Sequence, residues 1–218
     1  MKKLVLFLIG LLVFGLILTT AIDKNFLSIT KYLNSPGKGT DVYETTLSAG
    51  HYTAGIDIPP GTYSISHLSG IGKTSSNKFF SGAINGRSDL SLDSLKTSIA
   101  NVQLPEDTVL TITGSLVVKI STETGNLKYM HLRENPAPKT IILSSGLYKS
   151  GQDFAEGTYN VVWMDGFGIV SSSNLFNKGL AEQMGFDALS AQEFKNLELP
   201  AGTTLTVSDL TIKLVPSK

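Results

Sequence analysis

The hydrophobic pattern changes once, from an apolar segment at the start of the chain to short alternating runs afterwards. Leu4–Ile22 is interrupted only by two glycines and two threonines, and it follows Lys2 and Lys3. As a helix its roughly nineteen residues would be about 28 Å long, close to the thickness of about 30 Å of a bilayer's hydrocarbon core. Because positive charges stay in the cytoplasm, the pattern predicts a single-pass membrane protein whose C-terminal part is extracytoplasmic.

Two interpretations of this segment remain open. A signal peptide would be cleaved after Ala21, leaving a secreted protein. The apolar run is longer than the usual signal core of about seven to fifteen residues, which favours a retained signal-anchor. We therefore expect residues 1–22 to be a transmembrane signal-anchor that contacts the lipid bilayer through residues 4–22. Residues 23–45, with Pro36 and Gly37, are expected to form a juxtamembrane tether.

An internal repeat organises the rest of the chain. Leu47–Tyr63 reads LSAGHYTAGIDIPPGTY and Leu143–Tyr159 reads LSSGLYKSGQDFAEGTY, at an offset of 143 − 47 = 96. Further on, NVQLPEDTVLTI from Asn101 matches NLELPAGTTLTV from Asn196, at an offset of 196 − 101 = 95. The offset falls from 96 to 95 between the two segments, as a one-residue deletion in a loop would produce, and the matching pair of segments indicates a duplicated module.

Apolar and polar residues alternate with a period of two within each copy, as at Tyr63 and Ile65, and this pattern is typical of strands. The sequence predicts an all-β fold of two tandem small antiparallel β-sandwich or partial-barrel modules. Module 1 spans residues 46–121, a linker 122–139, and module 2 residues 140–218. Residues 91–97 and 187–193 are each expected to add a helical turn.

Glycine and proline predict the turns. Pro59-Pro60-Gly61-Thr62 fits a type II turn with Gly61 at positive φ, and Gly157 holds the same place in the second copy. Leu104–Asp107 and Leu199–Gly202 fit type I turns with proline in second position.

The pattern Gly-x-Tyr-x-x-Gly-x-Asp-apolar-x-x-Gly-Thr-Tyr, at Gly50–Tyr63 and Gly146–Tyr159, resembles a repeat of largely uncharacterised exported proteins of Gram-positive bacteria. The later Asn-x-x-Leu-Pro-x-x-Thr-x-Leu element resembles the same group. This resemblance implies an extracellular β module of the cell envelope, and it implies no particular activity.

Charge and cysteine content exclude several classes of function. The chain has 18 basic and 18 acidic residues, so it lacks the basic surface that nucleic acid requires. It has no cysteine, which excludes disulfides, cysteine-bound zinc and a lipid-modified cysteine anchor. We expect no cofactor and no nucleic-acid partner.

A partial nucleotide motif occurs at Gly70–Thr74, whose sequence GIGKT resembles the end of a P-loop. The full motif needs a glycine where His67 stands, and the second copy at Gly166–Val170 lacks the Lys-Thr pair. The sequence therefore predicts a glycine-rich hairpin and no bound nucleotide.

Asp57 and Asp153 are the carboxylates that recur in the opening motif. One isolated carboxylate makes a poor calcium site, which needs several oxygen ligands. An aspartate before a turn commonly accepts backbone N–H bonds, and we expect that role for both residues.

The remaining candidates have structural interpretations. His51, His67 and His131 show no metal-ligand spacing, and no serine lies in a nucleophile-elbow pattern. Trp163 could contact a sugar ring or a partner, but burial in the core of module 2 is favoured. Ser75–Asn77 and Ser171–Asn174 form recurrent polar patches that fit either a binding loop or a solvated loop.

These observations predict no catalytic or metal-binding residue and favour a non-enzymatic cell-envelope binding or interaction protein. Its partner would be an envelope glycan or a protein. The alternatives are an enzyme with a loop-built site that lacks a readable motif, and a purely structural spacer.

Overall fold

The structure is a computed structural model that describes residues 39–77, 81–82 and 97–218. The fold is all-β, as the sequence predicts, and a single 3-10 turn at Leu127–Tyr129 is the only helical element in these residues. The strands are β1 (Asp41–Leu47), β2 (Gly50–Thr53), β3 (Gly61–Ser69), β4 (Thr74–Ser76), β5 (Ser81–Gly82), β6 (Ser98–Leu104), β7 (Val109–Ile112), β8 (Val117–Gly125), β9 (Ile141–Leu143), β10 (Gly146–Lys149), β11 (Gly157–Ser172), β12 (Ala181–Met184), β13 (Glu193–Leu199) and β14 (Thr204–Pro216).

The strands form two sheets. One has the order β1-β8-β3-β6, and the other has the order β10-β14-β11-β13-β2-β7-β4-β5, with β12 beside β11 and β9 beside β14. We call β1–β8 the first repeat and β9–β14 the second repeat. The larger sheet therefore includes strands of both repeats, and the described residues form one compact unit.

The strand pairings of the first repeat recur in the second. β8 pairs with β1 and β3, and the end of β14 pairs with β9 and the start of β11. β7 pairs with β2 and β4, and the start of β14 pairs with β10 and the end of β11. The long strand β11 thus corresponds to β3 and β4 of the first repeat, and the long strand β14 corresponds to β7 and β8.

The glycine-rich segment at Gly70–Thr74 is not the predicted hairpin, because β3 and β4 pair with different strands rather than with each other. The chain crosses there from one sheet to the other. A Cβ on Gly72 would lie 1.8 Å from the Thr113 carbonyl oxygen, and one on Gly168 would lie 1.8 Å from the Ser208 carbonyl oxygen. Glycine is needed at the crossing in the first repeat, and at the matching register shift within β11 in the second, because two backbones touch.

The turn in the opening motif makes the same hydrogen bond in the two copies. Asp57 accepts the N–H of Thr53, and Asp153 accepts the N–H of Lys149, both four residues earlier, as expected for turn aspartates. In each copy this turn also holds a glycine with positive φ, Gly55 at 93° and Gly151 at 82°. Equal offsets in sequence therefore correspond to equal hydrogen bonds.

Two of the predicted turns are wrong in detail. Gly61 does not have positive φ and is instead the first residue of β3, so no type II turn forms there. The turn at Pro105 is displaced by one residue, since the N–H of Thr108 bonds to the Pro105 carbonyl. Asp107 and Gly202, with φ of 62° and 84°, take its third position. Proline is therefore the first residue of that turn rather than the second.

Each repeat has its own hydrophobic core. Tyr63, Ile65 and Leu104 are among the buried residues of the first core, and Tyr159, Val161 and Leu199 are their counterparts in the second. Ala49 belongs to the first repeat in sequence but packs into the second core.

The limits of the repeats differ from the predicted ones. β1 begins at residue 41, inside the predicted tether 23–45, and β8 runs to residue 125, inside the predicted linker 122–139. These extensions pair with each other, at Asp41 and Gly125. Residues 187–192 form a bend and turn rather than the predicted helical turn, and residues 91–96 lie outside the described residues.

The predicted signal-anchor at residues 1–22 also lies outside the described residues. Among the residues that are described, no helix has the length and apolar character needed to cross a membrane.

Candidate binding cleft between the repeats

The two repeats join where β13 of the second meets β2 of the first. Lys195 pairs in parallel with Gly50, and its N–H donates to the Ala49 carbonyl at 3.0 Å. Asn196 donates from Nδ2 to the His51 carbonyl at 2.9 Å and to Asp57 Oδ1 at 3.1 Å. We call this contact the β2–β13 junction.

A buried ion pair supports the junction. Arg133 Nη2 donates to both carboxylate oxygens of Asp57, at 2.6 and 2.7 Å, and the two side chains are only 9% and 11% exposed. Asp57 therefore receives hydrogen bonds from its own turn, from the segment joining the repeats, and from Asn196. Asp153, its counterpart, is exposed. Both aspartates have the predicted turn role, and only Asp57 also links the turn to Arg133 and Asn196.

A cleft of about 320 Å³ opens beside the junction. One wall comes from β4 and β7 of the first repeat, and the other comes from the loop at residues 175–180 and the start of β12. His51 from β2 and Phe194 from β13 also line it, with ring centroids 5.0 Å apart in a T-shaped contact. Both repeats thus contribute to a single concave surface.

His51 is buried and neutral in this cleft. Its Nε2 lies 2.8 Å from the Gly179 carbonyl, which can only accept, so Nε2 carries the proton. Its Nδ1 then accepts from the Thr111 hydroxyl at 2.9 Å. Burial lowers the pKa of His51, the main cause being loss of solvation of the charged ring. Both ring nitrogens form hydrogen bonds, and His51, in the first repeat, is thereby bonded to Gly179 of the second repeat.

Glu182 makes a second link across the cleft. Its Oε1 accepts the N–H of Gly114, in the first repeat, at 2.7 Å. Burial raises the pKa of Glu182 to about 7, and the hydrogen bond from Gly114 opposes that rise. The Ser115 hydroxyl, next along the chain, donates to the Ala188 carbonyl at 2.6 Å. The carboxyl group therefore changes its protonation near neutral pH at the contact between the repeats.

The rim of the cleft is apolar on one side and charged on the other. Phe176 is fully exposed and Leu175 is 45% exposed. Lys178 has a φ of 52° and forms an ion pair with Glu198 at 3.1 Å. The exposed ring beside a polar wall is the clearest candidate contact surface here.

The other histidines and the tryptophan lie away from the cleft lining. His67 and Trp163 occupy equivalent positions, and each contacts the carbonyl three residues later, at Gly70 and Gly166. Trp163 packs against the second core, as predicted, but is only half-buried there. Its indole N–H donates to the Gly166 carbonyl at 2.9 Å. His131 is exposed, with Nε2 3.8 Å from Glu106.

The two predicted polar patches differ in their relation to the cleft. Ser75, Ser76 and Asn77 line the cleft. In the second repeat Asn174 instead donates to the carbonyls of Asn177 and Glu198, which shapes the loop beside the cleft. No group of three or more histidine, aspartate or glutamate residues is placed to hold a metal ion in the part of the chain that the structure describes.

Sequence reasoning missed Glu182, Asn196 and Arg133. Glu182 has no recognisable motif, and Arg133 lies in the predicted linker. Asn196 did carry a signal, since an asparagine recurs at Asn101, but only the packing of the repeats gives it a partner. No protein-family model matches this chain, and neither a curated protein nor a solved structure shows significant similarity to it.

Proposed function

We propose that this chain is a non-enzymatic binding protein of the cell envelope that holds a segment of envelope glycan in the cleft between its repeats. In this proposal residues 1–22 anchor it in the membrane, and two small sandwich-like or partial-barrel modules lie outside. The export part of the proposal is supported by the apolar segment and by the resemblance of the repeated motif. The binding part of the proposal is supported by the cleft between the repeats.

The composition of the cleft supports a hydroxyl-rich ligand. Ligand sites combine apolar surface with a few placed polar groups, and this cleft has hydroxyl, amide and ammonium groups on its walls. Thr113 accepts from the Lys73 N–H at 3.3 Å, which leaves its own hydroxyl proton for a ligand. Phe176 offers an exposed aromatic face at the rim, against which the apolar face of a sugar ring can pack.

The state of the ionisable groups supports binding over catalysis. Both nitrogens of His51 are engaged, so the ring offers no free base. Glycoside hydrolysis generally needs two carboxylates that flank the scissile bond, and Glu182 is the one carboxylate in the described lining of the cleft. A carboxyl pKa of about 7 is nevertheless the property of a general acid, so hydrolysis is the second candidate.

Binding to soluble peptidoglycan fragments tests the proposal. The full chain in detergent is titrated calorimetrically with muramidase-digested glycan, and the fragments are then examined by mass spectrometry. We expect binding without shortening of the fragments, and Phe176→Ala should weaken it roughly three- to tenfold, the worth of one aromatic contact. Leu132→Ala, which removes a side chain that is 96% exposed outside the cleft, is the matched control.

Each outcome has a defined meaning. No heat of binding, or equal affinity for the Phe176→Ala and wild-type chains, would contradict the proposed site. Shortened fragments that disappear with Glu182→Gln would favour the enzyme instead.

A further inference from the structure

The β2–β13 junction has a counterpart on each repeat that no described strand covers. By the repeat offsets, β6 of the first repeat corresponds to β13, and β10 of the second repeat corresponds to β2. Among the described residues, β6 pairs only with β3, and β10 pairs only with β14. Each molecule therefore has the two edges that a second junction of this kind would need, on β6 and on β10. In the described residues these two edges are not paired with each other.

The β6 edge retains the features that β13 uses. Asn101 has a φ of 60°, and Asn196, whose amide bridges the junction, has a φ of 58°. Asn101 is exposed, and Ala100, the counterpart of Lys195, is exposed beside it. No charged residue occurs anywhere in β6, whereas charged side chains are a common protection of edge strands. Within the described part of the chain, neither a strand nor a charged side chain of β6 protects this edge from pairing with another strand.

The β10 edge retains a glycine that the isolated chain requires less strictly than it requires Gly50. A Cβ on Gly50 would lie 2.8 Å from Lys195 Cβ, so the junction requires glycine there. At Gly146 an added Cβ would meet only the end of the Tyr148 ring, at 3.2 Å, and φ lies outside the left-handed region. A strand packed against Gly146 would leave no room for a Cβ there, as β13 leaves none at Gly50.

The side chains flanking these edges are also complementary. His51 and Phe194 make an edge-to-face contact beside the junction, and their counterparts are Leu147 and Ile99. Leu147 is 72% exposed, which is unusual for a large apolar residue in a strand. Asp153, the counterpart of Asp57, is exposed and can accept from an amide at Asn101.

We propose that β6 of one molecule joins β10 of a second copy of this chain, which repeats the β2–β13 junction between molecules. The contact joins different surfaces of the two copies, so it is heterologous and adds molecules head to tail. Such a contact gives a ring if the rotation closes and a filament if it does not. This inference does not depend on the ligand of the cleft.

Cysteine crosslinking tests the geometry cleanly, because the chain has no cysteine of its own. Full-length Asn101→Cys and Asp153→Cys variants are purified in detergent and treated with a short bis-maleimide, alone and as a mixture. We expect crosslinked dimers in the mixture only, because each surface meets the other and not itself. Dimers of equal yield in either single-variant sample would overturn the proposal, as would a thiol at position 101 that reacts with no reagent.

A second measurement uses the glycine. Sedimentation velocity of the otherwise unchanged full chain should show a coefficient that rises with protein concentration. Gly146→Val places a branched side chain against the incoming strand and should abolish that rise, whereas Leu132→Ala, at a position that is 96% exposed and lies on neither edge, should leave it. Unchanged association of the Gly146→Val chain with an intact thermal transition, or no association of the wild type and no crosslink in the mixture, would overturn the proposal.

Discussion

Tyr63 and Tyr159 hold the same place in the two repeats, and each donates its hydroxyl proton to the carbonyl four residues earlier. The acceptors are Pro59 at 2.6 Å and Ala155 at 2.7 Å, and both phenol rings are 1% exposed. Burial raises the pKa of both tyrosines, so they act as hydrogen-bond donors at any ordinary pH. The two repeats therefore share this hydrogen bond between the same pair of atoms.

Removing these hydroxyls should have unequal effects. Pro59 is buried, so Tyr63→Phe leaves its carbonyl without a donor, at a cost of about 1–3 kcal/mol. Ala155 is exposed, so water can replace the phenol after Tyr159→Phe, and the cost should be about 0.5–1 kcal/mol. Urea denaturation of both variants checks the order, and a larger loss for Tyr159→Phe would contradict it.

The two turn aspartates provide a matched pair of substitutions. Asp57→Asn leaves the buried Arg133 guanidinium without a counter-charge, and we expect a loss of about 3–5 kcal/mol in unfolding free energy. Asp153→Asn changes an exposed side chain that can still accept the Lys149 N–H, so its loss should stay below about 1 kcal/mol. Chemical denaturation measures both losses, and equal values would mean that the Asp57–Arg133 pair does not support the junction.

The glycines of the β2 and β10 edges form another pair. Gly50→Ala would push a Cβ into the Lys195 backbone and side chain, so the junction should open and stability should fall by about 1–3 kcal/mol. Gly146→Ala meets only a movable tyrosine ring and should change stability by less than about 0.5 kcal/mol. Thermal melts at low protein concentration compare the two without interference from association.

Glu182 predicts a pH dependence with a definite sign. Its folded-state pKa of about 7 lies above the ordinary carboxyl value of 4.5, so the folded protein binds the proton more tightly than the unfolded chain does. The stabilisation is full below pH 4.5 and is lost as the pH rises to about 7 and above, an effect of about 3 kcal/mol.

The comparison of wild type with Glu182→Gln isolates this effect. Between pH 4.5 and pH 8 the wild type should lose about 3 kcal/mol of unfolding free energy relative to Glu182→Gln. His51, whose lowered pKa costs stability as the pH falls below 6.5, is present in both chains and cancels. A difference that stays constant over this range would show that the Glu182 carboxyl is not buried as described.

The sequence predicted the repeated local structure well. The turn role of Asp57 and Asp153 is confirmed, because a short side chain reaching a backbone N–H four residues earlier depends on neighbouring residues alone. The all-β fold is confirmed for a similar reason, since alternation and turn residues are local signals. The errors at Gly61 and at Gly70–Thr74 arose where a local turn pattern is overridden by strand pairing with distant residues.

The cleft could not be predicted from the sequence. Its walls meet only because β13 packs on β2, and the sequence offers two candidate edges of each kind, with Asn101 as good a candidate as Asn196. The choice between them depends on contacts between residues far apart in the chain, such as that of His51 Nε2 with the Gly179 carbonyl oxygen, which lie 2.8 Å apart across the cleft. Burial of Glu182 follows from that packing and leaves no trace in the sequence near it.

Chemical-shift mapping tests the proposed cleft most directly. The full chain, labelled with nitrogen-15 in detergent micelles, is titrated with soluble peptidoglycan fragments while its amide signals are followed. We predict that the perturbed amides cluster at residues 75–77, 109–113 and 175–182, which come together only at the cleft. Signals that do not move at saturating glycan, or that move only at residues remote from these three segments, would contradict the account.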